Sequence, residues 1–343
     1  MKILIVKLSS LGDVVHAMPA VQDICACLPD AQVDWVVERG FAPLVARCRG
    51  VHRVVPCELR RWRREPLSAQ TRAAWRAFRA ELRQEAYDAV IDLQGLAKSA
   101  LVARLARLAP GGRRFAMANR TDGSSYEAPT RWVADVAIPL APKLHAVERS
   151  RIVCAAALGY AVPAVLRQGL VGAVAGAAAD ARPCVAFVHG TSRDDKCWPE
   201  ANWIELGQRL LATGLTIALP QGGEEERARA ERIAAALGPA CTVWPAMALD
   251  ALTDRLSRCA GVIGVDSGLS HIAVALDRPH VQIYNFETDW RTGPHGAAHQ
   301  RSVRGQPTPS VEAVWAAWQA VAAAGGVAAM PANLAQPGIG AAP

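Results

Sequence analysis

A chain of 343 residues, 51% hydrophobic and 20% charged, is long enough for two domains and has an ordinary globular balance. Its nine cysteines, an odd number with no C-x-x-C pair, argue against a disulfide framework or a zinc site and fit a reducing cytoplasm. The net charge of +7 asks for an anionic partner, whether phosphate, nucleic acid or a membrane surface, and does not choose among them.

In chain order, residues 3–6 form an apolar run closed by Lys7, which reads as a buried strand and not as a signal sequence. A Ser-Ser-x-Gly-Asp loop and a helical pattern over about 14–28 follow. Further strands are predicted at 33–37, 89–91, 185–188, 216–219, 262–265 and 280–284, with helices such as 203–211 and 224–237 between them. This alternation predicts an α/β protein with parallel sheets wound by crossover helices. The Ala- and Gly-rich stretch 161–181 reads as a link between two such units; it carries Arg167 and is a poor membrane span. Residues 325–343, rich in Ala, Gly and Pro, predict a disordered tail.

Three loops leave strand ends and open helices, which is where open α/β sheets bind ligands. In Ser9-Ser10-Leu11-Gly12-Asp13, small residues let backbone N–H groups approach an anion at a helix N-terminus. Asp13 either caps that helix or presents its carboxylate to a substrate. In His189-Gly190-Thr191-Ser192-Arg193-Asp194-Asp195-Lys196, the hydroxyls of Thr191 and Ser192 can donate to phosphate and Lys196 supplies a point charge, unless it is simply a solvated lysine. In Asp266-Ser267-Gly268-Leu269-Ser270-His271, Gly268 permits close backbone approach to a diphosphate, and His271 is either structural or part of the same mouth.

A fourth feature is basic. The segment from Arg60 to Arg83 holds eight arginines against two acids. Arg72, Arg76, Arg79 and Arg83 recur at helical spacing and read as a solvated face. Arg60, Arg61, Arg63 and Arg64 crowd around one tryptophan and suit bidentate binding of carboxylate or phosphate. The chain has no P-loop, no G-x-G-x-x-G after its first strand and no D-x-D to hold a metal–diphosphate.

Taken together, K-I-L-I-V-K-L-S-S-L-G-D, R-R-W-R-R, I-D-L-Q-G-L-A-K-S, H-A-V-E-R, T-S-R-D-D-K-C-W-P and D-S-G-L-S-H resemble the lipopolysaccharide heptosyltransferases, most of all the heptosyltransferase I branch. The likeness runs from residue 1 to roughly 320. It implies a GT-B fold of two Rossmann-like domains facing across a cleft: an acceptor domain over 1–162, a donor domain over 180–305, and a last helix over 306–324 packing back on the first domain. It implies inverting, cofactor-free and metal-independent transfer of heptose from ADP-heptose to the first Kdo of Kdo2–lipid A. The enzyme would be cytoplasmic, peripheral to the inner leaflet of the inner membrane, with no nucleic-acid partner.

By the same resemblance Asp13 is the general base, and Lys196 is catalytic as well as donor-binding. Ser9, Ser10, Gly12, Thr191, Ser192, Met247, Asp266, Ser267, Gly268 and His271 complete the donor side, with Glu225 or its neighbour Glu224 at the ribose. Arg60, Arg61, Arg63, Arg64, Lys98 and Arg120 form the acceptor side. The segment Tyr284-Asn285-Phe286-Glu287-Thr288-Asp289 departs from the family's Y-G-P-T-D. Rival readings are heptosyltransferase II or another core glycosyltransferase, a nucleotide-sugar epimerase, and a basic nucleic-acid-binding module.

Overall fold

The computed structural model describes residues 1–172 and 182–327, so residues 173–181 of the expected link at 161–181 and the tail beyond 327 lie outside the described residues. The chain divides into two units. One is Met1–Gly172 with Trp290–Thr292, and the other is Ala173–Asp289 with Gly293–Pro343.

The first unit is built on strands β1 (Lys2–Val6), β2 (Gln32–Glu38), β3 (Val51–Cys57), β4 (Ala86–Asp92), β5 (Arg107–Met117) and β6 (Val136–Ile138). Its helices are α1 (Leu11–Cys27), α2 (Ala42–Val45), α3 (Leu59–Arg64), α4 (Ala69–Leu82), α5 (Ala97–Leu105), α6 (Pro129–Val133) and α7 (Ala146–Leu158). The sheet is parallel, in the order β3-β2-β1-β4-β5-β6, with Ile3 in register with both Val33 and Ala89. Leu4 and Val6 bury against Trp62, Phe78 and Val102, which holds α3, α4 and α5 on one side of the sheet. Helices α1 and α7 pack on each other. There Arg151 grips Asp23 with two hydrogen bonds, Nε to Oδ2 at 2.7 Å and Nη2 to Oδ1 at 3.2 Å, both side chains buried.

The second unit contains β7 (Cys184–Val188), β8 (Thr216–Leu219), β9 (Cys241–Val243), β10 (Gly261–Val265), β11 (His280–Tyr284) and β12 (Gln300–Arg304). Its helices are α8 (Glu200–Ala212), α9 (Glu224–Leu237), α10 (Leu249–Arg258), α11 (Gly268–Ala275) and α13 (Val311–Ala324), while the short α12 (Asp289–Thr292) belongs to the first unit except for Asp289. This sheet is also parallel, in the order β12-β11-β10-β7-β8-β9. In helix α13, Val311, Val314, Trp318 and Val321 join Val185, Phe187 and Ile263 in the second unit's core, because an apolar residue every third or fourth position makes one stripe.

Both sheets have the strand order of a doubly wound nucleotide-binding fold, and each reverses direction between its two central strands. The switch points lie between β1 and β4 in the first unit and between β7 and β10 in the second. The loops leaving the carboxyl ends of these four strands are therefore the places to look for a site.

Candidate active site

In the first unit, Ser10 is the residue that caps α1, and Asp13 lies three positions into the helix. The Asp13 Oδ2 accepts hydrogen bonds from the Ser10 amide at 3.1 Å and the Ser10 hydroxyl at 2.8 Å. Its Oδ1 faces two cations, with Lys7 Nζ and Arg149 Nη2 each at 3.8 Å. One oxygen thus serves the helix end while the other stays available, and the two readings of Asp13 are satisfied by different atoms. Burial alone would raise this carboxyl, but Lys7, Ser10 and Arg149 hold it below its ordinary value.

Lys7 is 2% exposed and donates to the Leu93 carbonyl at 2.9 Å; burial lowers its ammonium, opposed by Asp13. Gln94, from the loop after β4, accepts the amides of Leu8 and Ser9 at 3.0 and 3.1 Å. The Ser9 and Ser10 amides are thus satisfied within the fold, by Gln94 and Asp13. Lys98 Nζ donates to the Ser9 hydroxyl at 3.2 Å, which brings it to this loop. Asp92 closes β4 and accepts from Gln94 N, Gly95 N and the Ser99 hydroxyl, yet burial pushes it up to about 6.

The basic cluster lies on α3, between β3 and α4. Trp62 is buried against Trp75 and Phe78, with ring centroids 5.4 Å apart in both pairs. Arg60, Arg61, Arg63 and Arg64 are all exposed as a result. Arg61 pairs with Glu58 at 2.9 Å, and the Arg60 amide donates to Glu38 at 3.3 Å. Arg120 is exposed and donates to the Ser124 carbonyl at 3.1 Å.

In the second unit, the loops after β7 and β10 are tied together. Lys196 Nζ lies 2.6 Å from Asp266 Oδ2, the Thr191 hydroxyl donates to the Asp266 carbonyl at 3.1 Å, and His271 Nε2 is 3.5 Å from Asp266 Oδ1. Burial would raise Asp266, but His271 and Lys196 hold it well below the carboxylate range. Ser267 caps α11, so the helix N-terminus opens beside this cluster. Ser192 is exposed, and Gly12 and Gly268 lie in the first turns of α1 and α11. Met247 is half-buried in the loop between β9 and α10. Among the described residues, no group of three or more His, Cys, Asp or Glu is arranged to hold a metal ion.

Two residues here escape a reading of the sequence. Glu225 is exposed and Glu224 turns to Arg227. The acid that reaches the loop is Glu226, which accepts the Gly222 amide at 2.7 Å and packs on Gly190 so closely that a Cβ there would come within 2.3 Å of its carboxylate. Asn285, the departure from the family pattern, donates to the carbonyls of Asp195 and Cys197 at 2.9 and 3.0 Å and so braces the Lys196 loop.

Two doubly wound units, each with polar loops at its switch point, have the architecture of the GT-B class. Residues 75–314 match Glycosyltransferase family 9 (heptosyltransferase), and the chain belongs to that family. It is 40% identical over 287 residues to lipopolysaccharide heptosyltransferase 1 of Escherichia coli K12, covering 83% of this chain and 88% of that one. The solved structure of E. coli heptosyltransferase WaaC with ADP is similar at 36% identity and a TM-score of 0.81, covering 92% of this chain and 98% of that chain. The same enzyme with ADP-2-deoxy-2-fluoro heptose matches at a TM-score of 0.77, again at 36% identity and with 92% and 98% coverage. Lipopolysaccharide heptosyltransferase 2 of E. coli K12 is more distant, at 25% over 312 residues, 83% of this chain and 82% of that one.

Proposed function

We propose that this chain is an inverting heptosyltransferase that moves L-glycero-D-manno-heptose from ADP-heptose to the first Kdo of Kdo2–lipid A. The observation that carries the reading is Asp13, whose Oδ1 is left uncapped beside Lys7 and Arg149 at the first switch point. The 40% identity to a heptosyltransferase 1, against 25% to a heptosyltransferase 2, supports the first-heptose step over the second.

In this reading the first unit holds the acceptor and the second holds the donor. The Kdo hydroxyl oxygen bonds to the anomeric carbon while the bond from that carbon to the diphosphate breaks, and ADP leaves with the electron pair. The hydroxyl proton passes late in this step to Asp13 Oδ1, help worth roughly 10²–10⁴-fold. The charge that grows on ADP falls to Lys196, to the hydroxyls of Thr191 and Ser192, and to the N-terminus of α11, with His271 and Asp266 holding Lys196 in place. Glu226 fixes the Gly190 turn, and Met247 borders the base. Arg60, Arg61, Arg63, Arg64, Lys98 and Arg120 meet the acceptor's carboxylates and phosphates. Such an acceptor puts the enzyme at the cytoplasmic face of the inner membrane; among the described residues no helix is long and apolar enough to cross it.

Purified protein with ADP-heptose and Kdo2–lipid A should release ADP in step with a heptose-sized mass gain on the lipid. Donor turnover without acceptor would favour epimerisation. A requirement for an acceptor already carrying heptose would favour the second transferase.

A further inference from the structure

One side of the first unit carries a surface that the transfer reaction does not use. On α5, Ala97, Leu101 and Arg104 are exposed and recur at helical spacing, so they form one outward stripe. The opposite stripe, Val102 and Ala103, is buried in the core. Helix α6 packs on α5 and exposes Arg131 and Trp132. Trp132 is 73% exposed and Leu101 47%, whereas Trp35, Trp198 and Trp203 are fully buried. A large indole and a leucine left in water on two helices that pack together are unfavourable unless something apolar covers them.

The surroundings say what covers it. The carboxyl end of α5 would present bare carbonyls, but Arg114 donates to those of Ala103 and Ala106 and Arg83 to that of Leu105. Glu127 accepts the Ala97 amide at 2.6 Å, and Asp135 accepts the Arg114 amide at 2.7 Å. Arg104 and Arg131, one exposed on each helix, carry positive charge on this face. Tryptophan prefers the headgroup level of a bilayer, where its ring is apolar-packed and its N–H stays wet, and arginines are drawn to anionic headgroups.

We propose that the α5–α6 face docks on an anionic lipid bilayer, with Trp132 and Leu101 entering the headgroup–acyl boundary and Arg104 and Arg131 on the phosphates. The proposal rests on the reading that the acceptor is a membrane lipid, and it places the contact on residues outside the acceptor cluster.

The test is flotation of the full chain with phosphatidylcholine vesicles, alone or containing phosphatidylglycerol, beside transfer to a deacylated, water-soluble Kdo acceptor. The wild-type chain should float with the anionic vesicles. Trp132→Ser with Leu101→Ser should lose that association. Arg104→Gln with Arg131→Gln should weaken it about fivefold per arginine. All variants should keep the thermal midpoint and their rate on the soluble acceptor. Equal binding by variants and wild type, no wild-type binding, or equal binding to neutral vesicles overturns the proposal. So does a parallel fall in soluble-acceptor transfer, which would make the face part of the acceptor site. Absence of any transfer by the wild type would instead count against the heptosyltransferase reading, whatever the vesicles show.

Discussion

Lys196 Nζ and Asp266 Oδ2 stand 2.6 Å apart, so the aspartate of one loop holds the lysine of the other. An ammonium has three donors, so Lys196 can keep this partner and still reach phosphate oxygens. Lys196→Ala should lower kcat by about 10²-fold, the cost of losing one donor to a developing anion in a dry site. Combined with Asp266→Asn, the loss in ADP affinity should be non-additive by about 0.5–3 kcal/mol. Additive losses, or an unchanged single-turnover rate in Lys196→Ala at saturating donor, would remove the pair from the mechanism.

Asp13→Asn should abolish most transfer while leaving ADP-heptose affinity within a few fold, since the base acts on the acceptor hydroxyl. Near-normal turnover at saturating substrates would refute that role.

The same carboxyl sits below its ordinary 3.8, so the base is ionised throughout the neutral range. Lys7 is the strongest influence lowering it, and burial is what that lowering overcomes. Lys7→Met should therefore let the Asp13 pKa rise and move the acid limb of kcat/KM to higher pH. A limb that stays in place, with the fold intact by circular dichroism, would reduce Lys7 to a support for the Leu93 carbonyl.

How far the sequence foretells this arrangement depends on where each strand lies. The central strands are largely buried, so β1, β7 and β10 read as apolar runs, while Asp34, Asp88 and Gln282 interrupt β2, β4 and β11. The edge strands β3 and β12 are half-exposed and mixed in composition, β6 and β9 have only three residues each, and β5 contains Pro-Gly-Gly-Arg-Arg, so no period announces them. The loop motifs likewise point to Asp13, Lys196 and Asp266. Arg149 and Gln94 are different: their contacts cross from α7 and from the loop after β4, and only the tertiary fold brings them to the β1 loop. Glu226 was hidden by its neighbours, because three consecutive glutamates look alike until the helix phase is known.

The buried pair of Asp23 and Arg151 sets how α1 and α7 lie together, and with it the approach of Arg149 to Asp13. Asp23→Ala leaves a buried guanidinium without its carboxylate and should destabilise the protein by about 3–5 kcal/mol in denaturant unfolding. A loss below 1 kcal/mol would mean that Glu148 and the Pro163 carbonyl suffice to satisfy Arg151.

Replacing Arg60, Arg61, Arg63 and Arg64 together by Ala should raise the acceptor KM strongly and spare donor binding. An unaffected acceptor, or a weakened donor, would show the cluster to be a solvated face or a fold element.

Transfer should persist in excess EDTA, because the chain has no D-x-D and its loop acids are engaged elsewhere, Asp195 by Arg193 and Asp266 by Lys196. Activity lost on chelation and restored by Mg²⁺ would reassign those aspartates as ligands.

The burial of Trp62 separates two properties that usually change together. The buried Trp62 anchors α3, and Arg60, Arg63 and Arg64 on its outer side extend into solvent with Arg61, which pairs with Glu58. Positions 60, 61, 63 and 64 can then be varied in sign and reach on an unmoved backbone. On the proposed reading, a lineage or a designer could retune there which anionic sugar is recognised without repacking the unit.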